Sequence, residues 1–312
     1  MNSKLIRKIL FIVVVLSVAY VFVSMLIREW DTFREWQFEF SLLPLLFSAL
    51  FWILAVFWYG VLWRELINLV HFPNSLTLWS AIRTSTYTWL GRYTPGKAVS
   101  FIGRVYMDEG DTPRQALHLA NAIGIMYGIL SPVLLSVAFL LISGVGESFL
   151  IPLIVLGCIG IILIVLLDSP YPYKIIRYFK RLRGVEETGV PLSHRPIGFL
   201  THAKFVGKYG ISDILRGMGF VMLVFSFVPI EFSSSNVFFL AGAFTLAVII
   251  GILSIITPAG VGVREGALVF LLSSIMPPEI AVAVALVQRA WELVIDGLIL
   301  LFMHFLSQHK TI

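Results

Sequence analysis

The sequence predicts an all-α polytopic membrane protein of about seven to eight transmembrane helices, some of them broken or re-entrant. Three observations lead there. Of 312 residues, 58% are hydrophobic and 13% charged, where soluble domains carry roughly 45–50% and about 25%. The mean hydropathy is +0.92. Apolar runs of the roughly 20 residues that a spanning helix needs recur along the chain and leave no room for a soluble domain, so 1–312 reads as a single transmembrane domain.

Taken in order, the runs fall at 9–27, 41–63, 119–142, 149–167, 211–230, 237–256 and 279–307, with a shorter stretch at 263–276. The first is too long for a signal-peptide core and lacks a small-residue cleavage site, so it is expected to be an uncleaved helix. Lys4, Arg7 and Lys8 before it place the N-terminus in the cytoplasm. The following loop, with Glu29, Asp31, Glu35 and Glu39 against Arg28 and Arg34, suits the outside. The loop from 168 to 210 carries Lys174, Arg177, Lys180, Arg181, Arg183, Arg195, Lys204 and Lys208 and should be cytoplasmic. Within it, Tyr171–Arg183 has Ile175, Ile176, Phe179 and Leu182 on one side and cations on the other, the pattern of a surface helix on anionic lipid.

That basic loop decides the reading of 79–107. A crossing there would put the loop outside, whereas a hairpin that enters from the cytoplasm and returns keeps every loop on its expected side. Irregular backbone at membrane depth is tolerated where it is buried in protein or lines a wet cavity. At the other end, a crossing at 263–276 gives eight spans and a cytoplasmic C-terminus, and a re-entrant segment gives seven and an outside one. Lys310 favours the former.

Charge and composition also narrow the function. The net charge of +5 lies in loops rather than in an aromatic-interleaved basic domain, so no nucleic-acid partner is expected. Cys158 is the single cysteine, which excludes an intramolecular disulfide. The six histidines (His71, His118, His194, His202, His304 and His309) lack metal-ligand spacing. Neither a metal nor a cofactor is expected, and no phosphate-binding loop for ATP occurs.

Two related motifs carry the candidate site. Residues 92–104 read Arg-Tyr-Thr-Pro-Gly-Lys-Ala-Val-Ser-Phe-Ile-Gly-Arg, and 256–265 read Ile-Thr-Pro-Ala-Gly-Val-Gly-Val-Arg-Glu. Each places Thr-Pro, Gly and a cation after an apolar helix, in matching places of two halves, 1–168 and 205–312, joined by the basic loop 169–204. Interrupted helices at corresponding positions point to a transporter's binding site. Proline ends the preceding helix and glycine frees the backbone. The next helix then turns its positive end toward a bound anion. Candidate head-group residues are Arg83, Arg92, Thr94, Gly96, Lys97 and Arg104 at the first break, and Thr257, Gly260, Gly262, Arg264 and Glu265 at the second. In the last helix, Arg289, Glu292 and Asp296 share one face. Intramembrane charges normally face the bundle interior and pair, here Arg289 with Glu265 or Glu292. The alternative reading is a polar lining for a lipid head group or a proton path, which makes Arg289, Glu292 and Asp296 candidate head-group residues as well.

These motifs resemble the transmembrane flippase-like family that includes the N-terminal membrane region of bacterial lysylphosphatidylglycerol synthase. Thr257–Ala267, the apolar half-helix after it and Arg289 carry the resemblance, with Tyr93–Lys97 and Arg104 matching its first motif. The resemblance implies a lipid-handling domain of a bacterial or archaeal plasma membrane. It implies movement of a phospholipid or polyprenyl-phosphate lipid between leaflets, with the break residues lining the path. The chain stops soon after its last helix, so synthesis of aminoacylated lipid is not carried over. The leading expectation is therefore a flippase-like transporter without enzymatic activity. The alternatives are a lipid-binding partner of a membrane glycosyltransferase, and a membrane transferase using Glu29 and Asp31.

Overall fold

The computed structural model describes residue 20, residues 41–71, 76–93, 98–107, 112–144, 157, 158, 160, 197–253 and 262–308. The predicted first helix, most of the 149–167 run, the surface helix at 171–183 and the Glu29/Asp31 pair lie outside these residues, as do Thr94, Gly96, Lys97, Thr257 and Gly260.

The described chain is all helical. Helices α1 (Leu42–Val70), α2 (Leu78–Leu90), α3 (Ala98–Met107), α4 (Arg114–Ser143), α5 (Phe199–Phe227), α6 (Ser234–Leu253), α7 (Val263–Leu272) and α8 (Pro278–Gln308) follow in order, with a 3₁₀ turn at Gly91–Tyr93. Among the described residues, the four helices α1, α4, α5 and α6 are long and apolar enough to cross a membrane. Helix α8 has the length, at 31 residues, but interrupts its apolar surface with buried Gln288, Arg289, Glu292 and Asp296.

Helix α1 shows how the bundle meets its solvent. Leu42, Leu46, Leu50 and Leu54 stand exposed in one stripe, a surface suited to lipid tails. The opposite side holds α5: Ser48 Oγ donates to the Gly219 carbonyl at 2.7 Å, and Trp58 Nε1 to that of Lys208 at 2.8 Å. Lys208 Nζ reaches Glu65 Oε2 at 2.6 Å. On a third side α2 lies very close. A Cβ at Gly60 would come within 2.5 Å of Ile82 Cα, so that crossing requires glycine.

Within 79–107 the described residues form α2, the 3₁₀ turn and α3. Helices α2 and α3 have 13 and 10 residues, about 20 and 15 Å of rise, and neither spans a hydrocarbon core of about 30 Å. Helix α7, also 10 residues, rises about 15 Å.

One boundary moves substantially. Helix α5 begins at Phe199 rather than near 211, so Lys204 and Lys208 belong to a helix, not to the basic loop. The apolar run understates it because its first three turns bury His202, Phe205 and Tyr209 against Tyr127 of α4. Two apolar clusters result. One gathers Trp52, Phe220, Phe239 and Phe244, the other Trp63, Leu66, Tyr127 and Tyr209.

Candidate functional site

Helix α8 supplies the centre of the site. Gln288, Arg289, Glu292 and Asp296 are each 1% exposed, and a charge so buried must find a partner or a cost of several kcal/mol stands against folding. The partners come from the two helix breaks. Arg92, in the 3₁₀ turn where α2 ends, places Nη2 2.6 Å from Glu292 Oε1 and 2.5 Å from Asp296 Oδ2. Arg264, in the first turn of α7, places Nη1 2.8 Å from Glu292 Oε2. The same oxygen accepts from Gln288 Nε2 at 2.9 Å and faces Arg289 Nη1 at 3.7 Å. Glu265 turns one oxygen toward Arg289 Nε, at 3.6 Å, and takes the Gly262 N–H on the other at 2.6 Å. That second bond caps α7, whose N-cap Gly262 has φ +85°.

Close approach of α6 sets Arg264 in place. A Cβ at Gly251 would sit 2.8 Å from Arg264 Cβ, so the glycine leaves the room that the arginine stem fills. Its guanidinium carbon lies 5.2 Å from the Phe244 ring centroid.

A second charged group faces the first. Asp213 and Arg216, three residues apart on α5, form an ion pair, and Ser131 of α4 donates to Asp213 Oδ2 at 2.7 Å. Trp89 lies between the two groups. Its ring centroid is 4.3 Å from the guanidinium carbon of Arg92 and 5.3 Å from that of Arg216, and its Nε1 lies 3.4 Å from Asp296 Oδ1. Arg104 of α3 completes the ring of cations, stacked near Trp63 and Tyr59 at 5.3 and 5.9 Å.

These groups line a partly open cavity of about 200 Å³ whose walls include Arg92, Arg104, Arg216, Arg264 and Arg289, with Tyr59, Trp89 and Asn121 beside them. Gly124, Gly128, Val248 and Ile252 form apolar parts of its wall. Among the described residues, Arg92, Arg216, Arg264 and Arg289 pair with four carboxylates, Asp213, Glu265, Glu292 and Asp296, while Arg104 Nε donates to Thr88 Oγ1 at 3.3 Å. The described walls thus hold one cation more than they neutralise. Arg264 Nε and Nη2 and Arg216 Nε are buried without a hydrogen-bond partner among the described residues. Unmet donors of this kind are costly, and several guanidiniums converging on one space match the oxygens of a phosphate or carboxylate.

Of the residues singled out in the sequence, Arg92, Arg104, Arg264 and Arg289 line this cavity. Glu265, Glu292 and Asp296 hold those arginines, and Gly262 starts α7. Arg83, on α2, is not among the residues that line it. Sequence reasoning missed Asp213, Arg216, Ser131, Tyr59 and Trp89. A signal existed for the first two. An acid and a base three residues apart inside the 211–230 apolar run are the same kind of intramembrane pair that drew attention in α8.

The model of the family described as "Lysylphosphatidylglycerol synthase TM region" matches residues 5–299. No curated protein matches the chain.

Proposed function

This chain belongs to the family of the lysylphosphatidylglycerol synthase TM region, which makes it a multi-pass membrane protein of lipid-related function, and on that premise we propose that it carries an anionic lipid between leaflets. The observation that supports the reading is the arginine-walled cavity. Arg92, Arg104, Arg216, Arg264 and Arg289 come from five different helical segments and line one cavity. A purely structural network needs balanced charge. This one leaves an excess cation among the described residues, and donors of Arg264 and Arg216 unmet.

In this reading the phosphate of a phospholipid or polyprenyl-phosphate lipid sits among the guanidiniums, while its tails stay in the bilayer. The head group's desolvation is offset by charge-assisted hydrogen bonds to Arg264 and its neighbours. Helices α2, α3 and α7 are too short to span, so their ends bring cations to membrane depth, where an unbroken helix would put apolar side chains. The protein moves a lipid and makes no covalent bond. It acts in the plasma membrane, with its N-terminus in the cytoplasm.

The test is a flipping assay in proteoliposomes with a fluorescent phosphatidylglycerol, comparing wild type with Arg264→Gln and Arg216→Gln. Transport by wild type that falls at least tenfold in both variants is expected. Absence of transport by well-folded wild type, with no selective lipid retained on purification, would replace this reading with that of a lipid-binding partner for a membrane glycosyltransferase.

A further inference from the structure

We propose that Glu292 is a tethered rival for the head-group phosphate: it holds arginine donors that the phosphate must share, and so sets how easily a bound lipid is released. The inference rests on the anion-site reading above and concerns release from that same site.

The geometry singles out this carboxylate. Glu292 contacts Arg92 at 2.6 Å, Arg264 at 2.8 Å and Arg289 at 3.7 Å, and all three guanidiniums are cavity walls. Arg264 is only half engaged by it. Nη1 is on Glu292, while Nε and Nη2 have no hydrogen-bond partner among the described residues. An incoming phosphate therefore finds donors open on Arg264 and further donors on the same arginines taken by a carboxylate of similar chemistry.

Asp213 differs on each count. It pairs with Arg216 on its own helix and is fastened by Ser131, whereas the uncharged support of Glu292 is the Gln288 amide of its own helix.

A conducting or carrying site must bind strongly enough to load and weakly enough to unload. Guanidiniums at membrane depth, where charge interactions are weakly screened, would hold a phosphate without letting go. A carboxylate that reclaims the arginines as the phosphate leaves lowers that barrier. Neutralising Glu292 should therefore tighten anion binding and slow transport. A second carboxylate beside it should do the reverse to affinity.

The experiment uses the full chain in nanodiscs, with fluorescent phosphatidylglycerol as the anionic probe and a diacylglycerol of the same tails as the neutral one. Glu292→Gln is expected to lower the Kd for the anionic probe about tenfold, leave the neutral probe unchanged, and slow flipping in proteoliposomes. Gln288→Glu is expected to raise the anionic Kd by about the same factor. Unchanged or weaker anionic binding in folded Glu292→Gln overturns the proposal. If that variant does not fold, Gln288→Glu decides alone, and an unchanged Kd overturns it. Wild type that binds both probes equally, or Arg264→Gln that binds as wild type, overturns the anion site itself. Selective wild-type binding lost in Arg264→Gln, with Glu292→Gln unchanged, overturns only the role given to Glu292.

Discussion

The two charged groups that face each other across the cavity are built in opposite ways. The pair on α5 is local: Asp213 and Arg216 lie one helical turn apart on an unbroken helix, with Ser131 of α4 fastening the acid. The group around Glu292 is assembled from afar, with Arg92 from the end of α2, Arg264 and Glu265 from the start of α7, and Arg289 and Asp296 from α8. A local pair keeps its geometry as long as its helix exists. An assembled group depends on where three separate segments sit, so it is the one that a moving head group can rearrange.

The largest effect should come from removing the shared acid. Glu292→Ala leaves Arg92, Arg264 and Arg289 facing one another without their common counter-ion. We expect a loss of about 3–5 kcal/mol, measured as thermal unfolding in detergent. Asp213→Asn should cost less, about 2–3 kcal/mol, because it removes one ion-pair contact, with Arg216, rather than a carboxylate shared by three arginines. If the two substitutions cost the same, the distinction between an assembled and a local group fails. Trp89→Leu should come next, at about 1–2 kcal/mol. It should also reduce the coupling measured between Arg92→Gln and Arg216→Gln in a double-mutant cycle. Ser131→Ala removes one neutral donor from Asp213 and should cost about 1 kcal/mol. The smallest effect belongs to the Lys208–Glu65 pair, whose side chains are 40% and 35% exposed. Lys208→Ala is expected to cost less than about 1 kcal/mol, and salt should screen away what it contributes.

The same contrast explains what was legible in the sequence. Arg289, Glu292 and Asp296 announced themselves because charges three and four apart on a long apolar helix must turn inward together. The interrupted segments around Arg92 and Arg264 were visible because proline and glycine stop helices. That both converge on Glu292 was not readable, since no local pattern states which distant arginine meets which acid. Asp213 and Arg216 had a pattern of the same sort, muted by a single turn of spacing in a run dominated by apolar residues. Trp89 and Tyr59 had none, because an aromatic on a membrane helix looks the same whether it faces lipid or a guanidinium. The early start of α5 was hidden for a related reason. His202, Lys204 and Lys208 lower the hydropathy of turns that are helical because Phe205 and Tyr209 are packed inside.

The measurement closest to the central claim is the lipid that stays with the protein. Lipids co-purifying with wild type should be identified by mass spectrometry beside Arg264→Ala, Arg216→Ala and Arg83→Ala, the last a cation outside the cavity. Enrichment of one anionic lipid in wild type and Arg83→Ala, lost in the two cavity variants, is the predicted result. A lipid profile that mirrors the bulk membrane in all four folded proteins would contradict a head-group site in this cavity.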